Sequence, residues 1–337
     1  MEYNTLPQVL YNKQLRAVVP SMRWDGRSSF AEWQKAAREK LISLLGLDMY
    51  VPAEDDCFTI LSETEFDTFT DYEIRFQSEE GYFCIANLWV PKGKEGKLPL
   101  VVCLQGHSKG RHISLGRPKF PGDEETIAGG DRDFAIQIVR EGYCALAIEQ
   151  RNFGECGGTP EGYECRIPSS TALLYGRTTI GGRVFDISRA LDLVTEHFSF
   201  VDADRIACMG NSGGGTATIY ASAIDERIKV SMPSCALCTY KDSIGAMSHC
   251  ACNYVPGIAN YFDMGDLCGL IAPRKLIVVS GAKDNGFPHV GVEECVKVAG
   301  TYYEGNGIGD RYTWIEGPEG HRFYADLSWP VFHTFFD

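Results

Sequence analysis

Five short, nearly uninterrupted apolar runs constrain this chain more than anything else in it: LPLVVCLQG (98–106), YCALAIEQ (143–150), RIACMGN (205–211), IKVSMPS (228–234) and KLIVVSG (275–281). A strand with one wet face alternates apolar and polar residues, whereas a strand buried on both faces has no reason to. Helical stretches at 131–141, 182–197 and 213–224 separate these runs. Strand alternating with helix predicts an α/β fold with a doubly wound, mostly parallel sheet.

Ahead of these runs, SFAEWQKAAREKLISLLG (29–46) spaces Phe30, Trp33, Ala37, Leu41, Leu44 and Leu45 at helical intervals. Ser29 and Glu32 stand at capping-box spacing, and Gly46 closes the helix. DYEIRFQ alternates Tyr72, Ile74 and Phe76 with polar neighbours, turns over 78–81 and returns as YFCIANLWVP, a hairpin. The chain therefore reads as a single domain over 1–337, with an N-terminal helical extension over 1–50 and no internal repeat. Two connections, 151–181 and 238–270, run to about 30 residues, far beyond the usual ~2–6 of α/β loops. Each follows the C-terminal end of a predicted strand, the edge where such sheets bind ligands, so both are expected to build a pocket.

A net charge of −13 disfavours nucleic acid and anionic membrane as partners. No stretch reaches the ~18 apolar residues of a membrane helix, and the first twenty residues lack the basic start and apolar centre of a signal peptide. Thirteen cysteines, an odd number, sit mostly inside apolar runs (Cys84, Cys103, Cys144, Cys208), where a reduced thiol packs as a small hydrophobe. That usage suits a reducing cytoplasm. The oligomeric state, a homo-oligomer included, is left open.

The run at 205–211 leads into Gly210-Asn211-Ser212-Gly213-Gly214-Gly215. A Gly-x-Ser-x-Gly at a strand-to-helix junction is the pattern of a nucleophile elbow. The turn is sharp enough that side chains two residues before and after the serine would collide with neighbouring elements. The helix beginning at Gly213 aims its free N–H groups at the region where negative charge would develop. A phosphate-binding turn is the plainer alternative, but the Lys-Ser/Thr ending of a P-loop is absent.

A serine hydroxyl needs a base, and the base an orienting acid. In this fold the chain order is serine, then acid, then histidine. Asp284, just beyond the run at 275–281, and His321, in a Gly/Pro loop beyond a strand predicted at 312–316, stand in that order on the expected edge. His289, His333, Asp263 and Glu293 are rivals. The oxyanion of a tetrahedral intermediate needs two N–H donors, each worth ~3 kcal/mol. The backbone of Gly213 and that of His107, in the loop after 98–106, are the candidates, and the His107 imidazole is expected to face solvent without a role.

LQGHSKG, EQRNFGECGG, GRTTIGGRVFDISRALDLV, GNSGGG, CNYVPGIANYFDMGDLCGLIAPRKLIVVSGAKDNGFP and GPEGHRF together resemble the α/β-hydrolase superfamily, in its dienelactone-hydrolase-like and acetyl-xylan-esterase-like branch. The resemblance spans most of the chain from residue 29 onward. It implies a triad of Ser212, His321 and Asp284, with an oxyanion hole at His107 and Gly213. Two positions depart from it: Gln105-Gly106 stands where many relatives read His-Gly, and Ser212 stands where dienelactone hydrolases carry cysteine, which favours ester substrates.

Cys235, Cys238, His249, Cys250 and Cys252 are read as thiols and a histidine packed near the site rather than as a metal cluster, because adjacent His249 and Cys250 fit tetrahedral ligation poorly. Arg177 and Arg183 near the pocket rim, with Tyr254, are candidates to touch a carboxylate or sugar. The expected activity is a cofactor-free, metal-free serine hydrolase of short acyl or acetyl esters, saccharide esters among them. A peptidase or amidase with the same triad, and a silent ligand-binding member, are the alternatives.

Overall fold

The computed structural model describes residues 5–159 and 162–336. Helices α1 (Pro7–Ala17) and α2 (Phe30–Leu45) precede strands β1 (Thr59–Glu65), β2 (Phe69–Glu79), β3 (Tyr82–Pro91) and β4 (Leu98–Leu104). Then follow α3 (Asp123–Gly130), α4 (Phe134–Glu141), β5 (Cys144–Ile148), α5 (Arg166–Leu173), α6 (Thr179–His197), β6 (Val201–Asn211), α7 (Gly213–Ile224) and β7 (Ile228–Ser234). The chain ends with α8 (Met264–Ile271), β8 (Lys275–Gly281), α9 (His289–Glu304), β9 (Tyr312–Gly317) and α10 (Ala325–Phe336).

All these strands join one sheet in the order β1-β2-β3-β5-β4-β6-β7-β8-β9. β1, β2, β3 and β5 pair antiparallel in succession; from β5 to β9 every pairing is parallel. The apolar runs are the central parallel strands, and β4 and β5 are buried along their whole length. One layer of core packs the sheet against α2, α6, α7, α8 and α9; the other packs it against α4 and α10. The doubly wound α/β architecture read from the sequence is the one observed.

The N-terminal extension belongs to the first of these layers. The Ser29 side chain accepts a hydrogen bond from the Glu32 N–H, and Gly46, at φ 63°, ends α2. Trp33, Ala37, Leu41 and Leu45 are buried, and Trp33 stacks on Tyr302 of α9 at 5.0 Å. Gln34 Nε2 donates to the carbonyls of Gly269 and Ala272, which ties α2 to the C-terminal end of α8.

Two helix starts and the content of the long connections differ from the sequence reading. The helix expected over 131–141 begins at Phe134, because Asp131 takes a left-handed conformation (φ 52°). The helix expected at 182 begins at Thr179, where the Thr178 hydroxyl accepts from the Gly181 N–H. The two long connections are not structureless: α5 lies in the first and α8 in the second. No helix among the described residues is long and apolar enough to cross a membrane.

α2 packs against α6, α7 and α8, and its Leu41 is fully buried. Leu41→Ala should lower unfolding stability by about 2–5 kcal/mol, read as a lower urea midpoint with an unchanged m-value.

Candidate active site

At the β6–α7 junction the polypeptide reverses within one residue. Ser212 sits at φ 58°, ψ −121°, a conformation that costs a non-glycine residue on the order of 1–3 kcal/mol. The surroundings hold it there. Its N–H donates to the Ser234 carbonyl at 2.8 Å, and its own carbonyl accepts from the Thr216 N–H at 2.8 Å. The glycines admit neighbouring backbone: a Cβ on Gly214 would overlap the Leu104 carbonyl, and one on Gly215 would meet the Ser234 carbonyl and the Ala236 side chain at 2.7 Å. On Gly106 it would press on the Asn211 carbonyl at 2.8 Å and Ser212 Cβ at 3.0 Å. Ser212 is left half-buried at the head of α7, whose first N–H groups have no intrahelical acceptor.

Asp284 and His321 leave the same edge, after β8 and β9. His321 Nδ1 lies 2.7 Å from Asp284 Oδ2. An ionised carboxylate only accepts, so Nδ1 carries the proton, which fixes the tautomer of the neutral ring with its lone pair on Nε2. Asp284 Oδ1 accepts from the N–H groups of Gly286 (2.8 Å) and Phe287 (3.2 Å), and the Phe287 ring stacks on His321 at 5.9 Å. Burial works to raise the Asp284 carboxyl, but the hydrogen bond and charge of His321 and the two N–H donors outweigh it, and the group titrates below its ordinary value.

The rivals are engaged elsewhere. His289 meets Glu316 at 2.8 Å, and His333 meets Glu141 and the Tyr143 hydroxyl. Asp263 caps α8 and accepts from the Tyr240 N–H, and Glu293 pairs with Lys297 on an exposed helix face. Of these candidates, His321 and Asp284 meet one another, on the sheet edge where β6 also ends at Ser212.

The loop after β4 carries His107 and is anchored by groups the sequence did not reveal as partners. Glu149, at the end of β5, accepts from Gln105 Nε2 at 2.8 Å and from the Arg111 N–H. Arg111 in turn reaches Glu73, Glu155 and Asn87. Gln105, where relatives were expected to read His, thus spends its side chain fastening the loop to the neighbouring strand.

The expectation that the His107 imidazole faces solvent is wrong. Its ring is half-buried, lies over Gly213 so that a Cβ there would meet it at 2.7 Å, and packs edge-on against Phe153 and Tyr163. Nε2 lies 3.1 Å from the Cys252 sulfur. Burial works to depress this imidazole, but the thiols of Cys250 and Cys252 prevail and raise it to about 9.

Of the three candidate substrate contacts, Arg183 is 1% exposed, stacked on Phe153 and hydrogen-bonded to the Arg151 carbonyl. Arg177 pairs with Glu79, donates to the Met49 carbonyl and lies over the Tyr50 ring. Both arginines are used in holding the first long connection to the body. Tyr254 is exposed, donates to the Ile244 carbonyl at 2.9 Å and lines a cavity of about 410 Å³ with Tyr163 and His249. A second cavity, about 420 Å³, opens between His107, Lys109, Thr126, Arg132 and Tyr163. Arg132, on the wall of this cavity, also donates to the His321 carbonyl. Sequence reasoning gave no sign of Lys109 or Arg132.

Comparison with known proteins identifies the family and the fold. Residues 10–302 match the family model described as "Abhydrolase family". The chain is 31% identical over 238 residues to "Putative hydrolase YtaP" of Bacillus subtilis (strain 168), an alignment covering 68% of this chain and 75% of that protein. Among solved structures, a "putative acetyl xylan esterase (BF1801)" from Bacteroides fragilis NCTC 9343 superposes with a TM-score of 0.83 at 17% identity, covering 98% of this chain and 95% of its own. "Methylesterase BT1017" gives 0.69 at 20% identity, over 98% of this chain and 70% of that one. A glucuronoyl esterase from Solibacter usitatus gives 0.64 at 17% identity, over 90% and 92%. At these identities the solved structures share the fold.

Two outcomes follow from the geometry. Gly214→Ala forces a methyl into the Leu104 carbonyl and should cost more than about 3 kcal/mol, read as loss of soluble, cooperatively unfolding protein. Burial pushes the Glu149 carboxyl up to about 7 from 4.5, against the opposing charge of Arg111. Between those values the folded chain holds a proton that the unfolded chain has shed, so this group's contribution to stability falls as pH rises. Urea titrations at about pH 5 and about pH 7 should therefore show the stability gap between wild type and Glu149→Gln narrowing at the higher pH.

Proposed function

The chain belongs to the abhydrolase family, and on that premise we propose that it is a serine hydrolase of carboxylic esters, with Ser212, His321 and Asp284 as its triad. The observation that carries this reading is the 2.7 Å contact between His321 Nδ1 and Asp284, on the sheet edge where Ser212 is held at φ 58°. Ser212 Oγ attacks the ester carbonyl while His321 Nε2 takes its proton. Asp284 fixes the tautomer and balances the imidazolium. The backbone N–H groups of Gly213 and His107 receive the oxyanion. His321 then gives its proton to the leaving alcohol, and water, activated by the same imidazole, releases the acid from Ser212.

The polar walls of the cavity beside His107, with Lys109, Thr126 and Arg132, suit an alcohol half rich in hydroxyls, and Tyr163 offers a flat surface to a sugar ring. Structural neighbours named as acetyl xylan, methyl and glucuronoyl esterases support short acyl or methyl esters of carbohydrates as the substrate class.

A fluorophosphonate probe should label the wild-type protein and fail to label Ser212→Ala. p-Nitrophenyl acetate should be hydrolysed in preference to a peptide anilide; the reverse order would make the chain an amidase, and no labelling would make it a silent binder. Asp284→Asn should lower kcat by roughly 10³–10⁴-fold with little change in KM, because it leaves the pocket and removes the tautomer control.

A further inference from the structure

Four donor atoms from three distant segments converge beside the β4 loop. They are His107 Nε2, Cys165 Sγ at the entry to α5, and the sulfurs of Cys250 and Cys252 in the connection after β7. All lie within 4.8 Å of one another. We propose that these residues form a closed, structural Cys3His zinc site, which staples both long connections to the loop carrying His107. In a tetrahedral site with zinc–sulfur bonds near 2.3 Å the sulfurs stand about 3.8 Å apart and the nitrogen about 3.6 Å from each, so the observed set needs only small shifts to close on a metal.

The sequence reading set a metal aside because it paired Cys250 and Cys252 with Cys235, Cys238 and the adjacent His249. The fold breaks up that set. Cys235 donates to the Arg322 carbonyl, Cys238 faces the Pro288 carbonyl, and His249 meets Ser243 and the Gly286 carbonyl. In their place come Cys165 and His107, residues far away in sequence whose ligand chemistry suits the same ion.

Charge supplies an independent argument. Arg183 is 1% exposed and directs Nη1 at Cys252 (3.5 Å) and Nη2 at Cys165 (3.9 Å). Among the described residues no carboxylate stands within ion-pair reach of it, so a full positive charge is buried beside the thiols. Three thiolates, a neutral imidazole and a divalent ion sum to −1, and Arg183 brings the cluster to zero. A buried charge is tolerated when it is compensated in this way. Phe153, fully buried, packs with Cys165 and Cys252 and closes the apolar side.

Three thiols and an imidazole also fit a disulfide poorly. A disulfide joins two sulfurs at about 2.05 Å and would leave the third thiol, the imidazole and the Arg183 charge without a joint partner. Because four protein ligands fill a tetrahedron, the ion has no open position for substrate and acts by fixing loops. Its grip on His107 Nε2 holds that ring over Gly213, next to the N–H groups assigned above to the oxyanion. That last consequence rests on the esterase reading; the metal site itself does not.

The test is metal content, which is read without any hydrolysis assay. Untagged protein, made in zinc-replete medium and purified under reducing conditions, should carry about one zinc per chain by plasma mass spectrometry. Cys250→Ser and Cys252→Ser should each drop below about a tenth of an equivalent, while Cys57→Ser, outside the cluster, keeps the full complement. If the variants fail to fold, the wild-type protein still decides the matter: a mercurial that blocks thiols should release the zinc to a colorimetric chelator, and cobalt exchanged into the site should show thiolate-to-cobalt charge-transfer absorption. The proposal is overturned if the wild-type protein carries no zinc and takes up neither zinc nor cobalt after reduction. It is equally overturned if folded Cys250→Ser and Cys252→Ser keep their metal, or if peptide mapping of the reduced preparation finds two of the three cysteines joined.

Discussion

The approach of α7 to the sheet is the constraint from which the rest of the molecule is arranged. For Ser212 to stand at the end of β6 with its hydroxyl free, the first turn of α7 must lie directly on the backbone of β4 and β7. Gly214 rests against the Leu104 carbonyl and Gly215 against that of Ser234. No side chain fits there, so neither strand can shift without displacing the turn. The strain at Ser212 persists because the hydrogen bonds to Ser234 and Thr216, and the packing of a helix buried from Gly213 to Ala223, over-determine it.

That arrangement fixes where every other functional group must come from. With β6 central, the loops after β4, β7, β8 and β9 emerge around Ser212 on one edge. Asp284 and His321 come from the strands on one side, His107 from the strand on the other. The divided demands on Asp284, with one oxygen held by backbone N–H groups and the other by His321, orient the imidazole without help from a mobile side chain. On the opposite flank Glu149 and Arg111 do the same for the β4 loop, through buried hydrogen bonds from Gln105 Nε2 and Arg111 to the Glu149 carboxylate.

The parts of this design that were legible in the sequence are those with short-range signatures. Strands buried on both faces must be apolar throughout, so β4 to β8 were visible as runs. The elbow needs its glycines within five residues. The acid and base follow in fixed chain order. Elements without such a signature were missed. β1 is exposed along its length and carries charge, as an edge strand must. α8 is buried all round, which erases helical periodicity, and α9 is interrupted by Gly291 and Gly300. α5 carries Pro168 in its first turn, which reads as a loop until the backbone is seen.

Side-chain partnerships across the fold were illegible for a different reason. Nothing local in Glu149 says that it will receive Gln105 and Arg111, and nothing in Arg177 or Arg183 says that they will be spent on Glu79 and on buried thiols. The cysteines show this most clearly. Composition alone makes thirteen reduced thiols a plausible core inventory, and most of them are buried in apolar runs. Three differ because a guanidinium and an imidazole have been brought to them at the cost of desolvating both. Arg183 serves the fold through the Arg151 carbonyl and the Phe153 ring, and it also turns Nη1 toward Cys252 and Nη2 toward Cys165. A guanidinium that both ties Arg151 to α6 and faces two sulfurs joins the packing of the first long connection to the charge balance of the proposed zinc site.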